Sequence, residues 1–455
     1  MSVDVRDQFP VTKTRLTSAV TGAGMPLTYF DHGASTHAPE SVLHAHERFI
    51  REAYSNVHRG AHHLSIVSTE AYEDVRWKAK AFVGARKDQE VVFAENTTDA
   101  LNLAAHLMAE RPGVTLVSAM EHHSNDLPHR AKGPVVHFGT DENGQVDMRD
   151  FEKKLAEHKV KLVAITAASN VTGIRPPLDD IVDLAHAFGA KVLVDGAQAL
   201  AHLPTDLSRI GTSGGPDFFA AAGHKAYAPM GGAFLVAPRE VLDHAEPYRP
   251  GGGTVKFVAL DDAMWVDGVE RHEGGTPNVP GIVAMGAAID FLRGIGMEAV
   301  RAHELELLKA MFAGMEQIPG VRWLGTAPPE DRVGTVSFVV DGVPHALVST
   351  VLDNEYGIAT RNGCFCAHPY LVDLLGIDDP EMVRERIKAG ATTREPDFPG
   401  AARASLGIYN DIADVERFLE ALHTVAAKGW KGDYSWADGT WVHQRPAIAG
   451  TPAGA

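Results

Sequence analysis

Cysteine is scarce in this chain: two in 455 residues, Cys364 and Cys366, both in one short segment. That count excludes a disulfide framework and points to a reducing, cytoplasmic setting in which thiols stay reactive. A single Cys-x-Cys is also too little for a closed metal site, so no metal centre is expected. No apolar run is long enough to span a membrane. The opening Met1-Ser2-Val3-Asp4-Val5-Arg6-Asp7 lacks the apolar core of a signal peptide. Positive charge is in deficit, 42 Lys and Arg against 59 Asp and Glu, for a net charge of −17. Nucleic acid and anionic membrane are therefore not expected as partners. Internal repeats are absent. What remains is ordinary globular composition, 45% hydrophobic and 22% charged, on a chain long enough for two domains.

Hydrophobic periodicity then predicts strands alternating with helices. Helices are expected over 39–53, 70–83, 99–108, 151–158 and 178–188, with strands over 90–94, 114–118, 161–167 and 191–194. Such alternation implies right-handed crossovers and a mostly parallel sheet covered by helices. In that architecture ligands bind beyond the carboxyl ends of the strands. Thr97, Thr98, His123, Asn170, Asp195 and Gln198 all fall at such ends.

The run Ala222-Gly223-His224-Lys225-Ala226 sits between two apolar stretches, 218–219 and 233–236, that read as short buried strands. A lysine held there is costly unless its amine is neutral or paired, and a lowered pKa is what a Schiff-base lysine needs. Alone, Lys225 reads more readily as a solvated lysine on a glycine turn. Its neighbours change the balance, because they match the needs of pyridoxal phosphate. Asp195, directly after Val192-Leu193-Val194, offers the carboxylate that keeps a pyridine nitrogen protonated, or else caps the following turn. Thr97 and Thr98 at a helix start form an anion site, or else cap that helix. Gln198 offers a donor to a ring oxygen. His123 offers a ring to stack on the pyridine and a proton shuttle, with His122 as a bystander. The loop bearing His58 and Arg59 is dense in histidine and arginine, and alone it reads as a solvated loop or as part of a binding site.

With these segments in hand, the chain resembles the class V aminotransferase family, in particular its cysteine desulfurase and selenocysteine lyase branch. The resemblance runs from Tyr29 to about Leu422. It rests on Asn56-Val57-His58-Arg59-Gly60, Glu121-His122-His123, Ser169-Asn170, Val194-Asp195-Gly196-Ala197-Gln198, Gly223-His224-Lys225, Gly275-Thr276-Pro277-Asn278 and Arg403-Ala404-Ser405, in that order. It implies the α/β fold of type I pyridoxal-phosphate transferases: a large domain with a mostly parallel seven-stranded sheet, and a smaller α+β C-terminal domain. It further implies that Lys225 carries the cofactor, Asp195 pairs with the pyridinium, Gln198 meets the ring oxygen and His123 stacks. Thr97, Thr98 and His224 would hold the phosphate, joined by Thr276 from the second subunit of a homodimer. Arg403, helped by Asn170, would take the substrate carboxylate, with Arg361, His58 and Arg59 nearby. The spacing from Arg361 to Cys366 matches the branch's sulfur-accepting cysteine.

The implied reaction converts L-cysteine or selenocysteine to L-alanine and leaves a persulfide on Cys366, for delivery to a sulfur-acceptor protein. The same frame also supports a C–S β-lyase, an epimerase or another lyase, in which Cys366 is an inert thiol. Departures from the branch are Ala222 in place of a phosphate-binding serine, His32-Gly33 after Asp31, and Cys364-Phe365 before Cys366. The expected division is an N-terminal arm (1–28), a large domain (29–290), a small domain (291–430) with an insertion or lid at 378–400, and a tail (431–455).

Overall fold

Continuous apolar runs become the strands of one sheet. In the computed structural model, which describes residues 3–377, 380–390, 395 and 398–444, seven strands build it. They are β1 (Gln89–Ala94), β2 (Val114–Ser118), β3 (Val135–Phe138), β4 (Val160–Thr166), β5 (Lys191–Asp195), β6 (Phe218–Ala222) and β7 (Ala233–Pro238). Their spatial order is β1-β7-β6-β5-β4-β2-β3. All run parallel except β7, which is antiparallel to both β1 and β6. Every residue of β4, β6 and β7 is buried, as expected of strands covered on both faces. Only β3 was not predicted. It is a short edge strand paired to β2 alone, and its Val135-Val136-His137-Phe138 leaves His137 exposed.

The smaller sheet is antiparallel, with β8 (Val321–Trp323), β9 (Thr335–Val340), β10 (Arg361–Gly363) and β11 (Ala401–Ser405) in the order β8-β9-β11-β10. Helices Met297–Glu316, His345–Tyr356 and Ile412–Ala426 cover it around a core that includes Leu308, Phe338, Val351 and Phe418. The segment expected as a lid is a helix over Pro380–Lys388 where it is described, and the rest of 378–400 lies partly outside the described residues. Two antiparallel strands, Tyr434–Ala437 and Thr440–His443, begin the tail. Residues 445–455 lie outside.

Residues 3–28, the N-terminal arm, are packed against the rest of the chain. Phe9 is fully buried and its ring meets Tyr227, Phe291 and Tyr409 at 5.7, 5.7 and 4.7 Å. Arg6 donates to Asp414 at 2.6 Å. Thr28–Tyr29 pairs in parallel with Ile358–Ala359, and Phe30 is packed in the core of the small sheet. The N-terminal stretch thus touches both lobes.

One glycine controls how β5 ends. Gly196 follows Asp195, and a Cβ there would overlap the buried Phe219 ring. Gly196→Ala is expected to cost about 1–3 kcal/mol, the usual scale of overpacking, and to push Asp195 out of place. Thermal unfolding checks it: a melting curve superposed on that of the unmodified protein is the contrary result.

Candidate active site

Strand ends and small-sheet strands meet at a cleft of about 340 Å³. The loop after β1 brings Thr97 and Thr98, the loop after β2 His122 and Ser124, and the loop after β4 Asn170. Asp195 ends β5, and the short helical turn Gly223–Lys225 follows β6. From the small sheet, β10 and β11 deliver Arg361 and Arg403, which are direct cross-strand partners. Gln198, Phe365 and Cys366 complete the lining. A larger groove of about 950 Å³, bordered by Arg175, Asp206, Arg209 and Arg293, holds none of these groups. Chemistry, not size, selects the smaller cleft.

Lys225 lies at the cleft with its amine walled by protein. Burial pulls its pKa down to about 8; Asp195 opposes that shift and Arg403 adds to it. Asp195 is buried, which raises its pKa, while the Ala197 N–H and Lys225 pull the other way. Its Oδ1 accepts from Ala197 N at 2.9 Å, and Oδ2 has no hydrogen bond among the described residues. Acid and amine thus line one cleft, both desolvated, and each favours the other's charged form.

The helix Thr97–Leu107 is capped by Asn96, whose Oδ1 accepts from Asp99 N at 3.0 Å. Neither threonine is used as a cap. Thr97 Oγ1 is buried and has no partner, and Thr98 Oγ1 lies 2.7 Å from Ser124 Oγ. A helix N-terminus with an orphan hydroxyl beside it suits an anion. His224 borders the same space, and burial, then Lys225, lower its pKa to about 4. It is a neutral donor or acceptor there.

The histidine expected to stack is displaced by one residue. His123 ring-stacks on His368 (4.9 Å, 12° between planes), with Nε2 3.1 Å from His368 Nδ1. His122 lines the cleft instead. Its Nδ1 accepts from Ser124 N at 3.1 Å, so the proton sits on Nε2. Burial and Lys225 hold its pKa near 4. The physical reason is the short helical turn His123–Asn125, which His122 caps. Gln198 also differs in part from expectation, because one proton of its amide is already donated to Gly33 O at 2.8 Å.

The paired arginines would repel across β10 and β11, and Asp31 resolves this. Its carboxylate receives Arg361 Nη2 at 2.9 Å and Arg403 Nη2 at 3.2 Å. Arg403 is buried; Nη1 donates to Asn170 O at 2.8 Å, while Nε has no partner. The Phe365 ring covers the guanidinium at 4.9 Å. Asn170 Nδ2 donates to Phe365 O at 2.7 Å.

The two thiols are not equivalent. Cys364 is half-buried, donates to Pro399 O at 3.2 Å, and burial raises its pKa to about 11. Cys366 is exposed at the cleft. Three expected residues stay away from this cleft. His58 and Arg59 are exposed, with the His58 ring against Tyr72, and Thr276 is exposed beside a separate small pocket that Tyr72 also lines.

The family model for class V aminotransferases matches residues 28–418. The chain belongs to the class V aminotransferase family. Among curated members of that family, it is 36% identical to a probable cysteine desulfurase of Synechocystis sp., over 93% of this chain and 95% of the relative. It is 34% identical to a cysteine desulfurase of Escherichia coli, over 93% and 98%. Among solved structures, a cysteine desulfurase from Thermococcus onnurineus aligns with TM-score 0.81 and 30% identity, over 94% of this chain and 100% of that one. The class V assignment makes the protein an enzyme of the pyridoxal-phosphate-dependent kind.

Sequence reasoning missed His122, Ser124, Asp31 and Phe365. Ser124 carried a signal, since it is the only hydroxyl in the loop after β2. For Asp31 there was none: the chain separates it from Arg403 by most of its length.

Proposed function

We propose that the protein is a cysteine desulfurase, converting L-cysteine to L-alanine while its sulfur passes to Cys366. The observation that carries this reading is an exposed thiol on the same cleft as Lys225 and Arg403. The relatives named above support it, and selenocysteine fits the same site.

The residues present suit pyridoxal phosphate. Lys225 would hold it covalently, Asp195 would pair with its ring nitrogen, and Gln198 would use its remaining amide proton toward the ring oxygen. The orphan Thr97 hydroxyl, with Thr98, Ser124 and His224, would receive the phosphate, and His122 rather than His123 would lie along the ring. When bound, the cofactor supplies an electron sink for the substrate's α-carbon. Arg403 would orient the substrate carboxylate and Lys225 would move protons at the α-carbon. Cys366 as thiolate would attack the substrate sulfur. A carbon–sulfur bond breaks, a sulfur–sulfur bond forms, and alanine leaves with no external oxidant or reductant.

Thr276, His58 and Arg59, exposed and grouped near Tyr72, would serve the cleft of a second copy, making the working unit a homodimer. The exposed Phe257, Val258, Leu260 and Met264 around the Val255–Val258 and Ala263–Trp265 strands fit such an assembly. A sulfur-acceptor protein would take the persulfide, in a reducing cytoplasm suited to free thiols. No single helix among the described residues is long and apolar enough to cross a membrane.

Product identification tests this reading. Purified protein with L-cysteine and a reductant is expected to yield alanine and sulfide. Pyruvate with ammonia would overturn it in favour of β-elimination.

The lowered Lys225 pKa gives a second prediction. Only the neutral amine captures the cofactor, so the recombination rate of cofactor-free protein should rise with pH and level off above about 8. An ordinary lysine would keep rising toward about 10.4. Stopped-flow absorbance across pH 6 to 10 (roughly the span that brackets both values) would distinguish them.

A further inference from the structure

The turn that carries Cys366 is conformationally unusual. Phe365 and Cys366 have φ of +52° and +54°, the left-handed region that bulky residues avoid unless their surroundings enforce it. Both peptide carbonyls on this turn are anchored. Phe365 O accepts from Asn170 Nδ2 at 2.7 Å and Cys366 O from His123 N at 2.7 Å. The backbone reversal buries the Phe365 ring to 8% exposure and lays it on the guanidinium of Arg403. On Arg403's other neighbour, Gly33, even a Cβ would come within 3.3 Å of the guanidinium carbon. With Nη1 held by Asn170 and Nη2 by Asp31, the fork is fixed in plane and covered on its face.

We propose that Phe365 is a specificity-determining positioning residue: its ring holds the Arg403 fork edge-on to the cleft, so that the enzyme distinguishes amino acids from simple amines by their carboxylate. The aromatic ring is the operative feature. It attracts the cation and strips water from it, and a desolvated guanidinium binds a carboxylate more strongly than a hydrated one. Because the same residue forms the Cys366 turn, carboxylate capture and thiol placement are linked through one side chain. This inference rests on the reading that Arg403 takes the substrate carboxylate.

The test uses the holoenzyme and needs no sulfur chemistry. L-alanine and ethylamine, the same amine without the carboxylate, are titrated against the cofactor's absorption. Phe365→Leu keeps the apolar bulk and removes the ring face; Phe365→Met does the same should the first variant fold poorly, and Phe365→Tyr restores the face. In Phe365→Leu, L-alanine binding is expected to weaken roughly 5- to 30-fold, the span from an exposed to a desolvated cation–π contact. Ethylamine should be unchanged and Phe365→Tyr should bind as the unmodified enzyme does. In parallel, L-alanine should slow alkylation of Cys366 by iodoacetamide in the unmodified enzyme and lose that effect in Phe365→Leu. Equal weakening of both amines, or undiminished alanine binding, overturns the proposal and leaves Phe365 as ordinary packing. An unmodified enzyme that binds the two amines alike overturns both this inference and the assignment of Arg403. Failure to form alanine from cysteine, with amine discrimination intact and lost on substitution, sinks the desulfurase reading alone and upholds this one.

Discussion

Lys225→Ala is expected to give a folded, colourless protein whose turnover of L-cysteine is lower by at least about 10⁴-fold, the scale on which loss of a covalent catalytic group is felt. The fold should survive because Lys225 lines the cleft, while the buried neighbours Ala222, Gly223 and Ala226 carry the packing of the turn. Removing the amine also leaves Asp195 buried without the cation that draws its pKa down, so that carboxyl should protonate more readily in the variant. Borohydride reduction followed by peptide mass analysis is the measurement. A cofactor adduct on Lys225 in the unmodified protein and none in the variant is the expected pair of results. An adduct persisting elsewhere would mean that another lysine does this work.

Cys366→Ala is expected to abolish alanine formation, by at least about 10³-fold, while leaving colour and amine binding intact. Cys364→Ala should stay within about twofold. The difference follows from environment. With its pKa raised to about 11, Cys364 at pH 8 is ionised in only about one molecule in a thousand, and the thiolate is the nucleophile. Its thiol is also engaged with Pro399 O. Cys366 is exposed and lines the cleft with Arg361 and Lys225, where a bound substrate can reach it. Alanine measured by amino-acid analysis decides the matter. Undiminished alanine from Cys366→Ala would remove the persulfide from the mechanism.

The parallel sheet was legible because its strands are buried on both faces and therefore read as unbroken apolar runs; Val160–Thr166 is the clearest. Site residues at strand ends were legible for the same reason, since the topology fixes where Asn170, Asp195 and Lys225 emerge. What resisted was side-chain direction within a loop. His122 and His123 are adjacent, and only the cap that His122 makes to Ser124 decides which ring enters the cleft. At the first helix of the site the sequence left Thr97 and Thr98 open between anion site and cap; Asn96 takes the cap and frees both threonines. Long-range partnerships were invisible altogether. Nothing near Asp31 in sequence announces Arg361 or Arg403, and nothing near Phe9 announces Tyr409. The polar composition of the first residues read only as an N-terminal arm and gave no sign that Phe9 lies wholly inside.

The strand order has a consequence for how the protein is made. β1 pairs only with β7, and roughly 140 residues separate them in the chain. At synthesis rates of about 5–20 residues per second, the Val91-Val92-Phe93 segment leaves the ribosome some 7 to 30 seconds before its partner exists. During that interval it is an unpaired apolar strand, the kind of edge that other nascent chains can capture. Yield in a heterologous host should therefore respond to translation speed between codons 95 and 233 (roughly the gap between the two strands) and to chaperone supply, even for variants whose finished fold is unchanged.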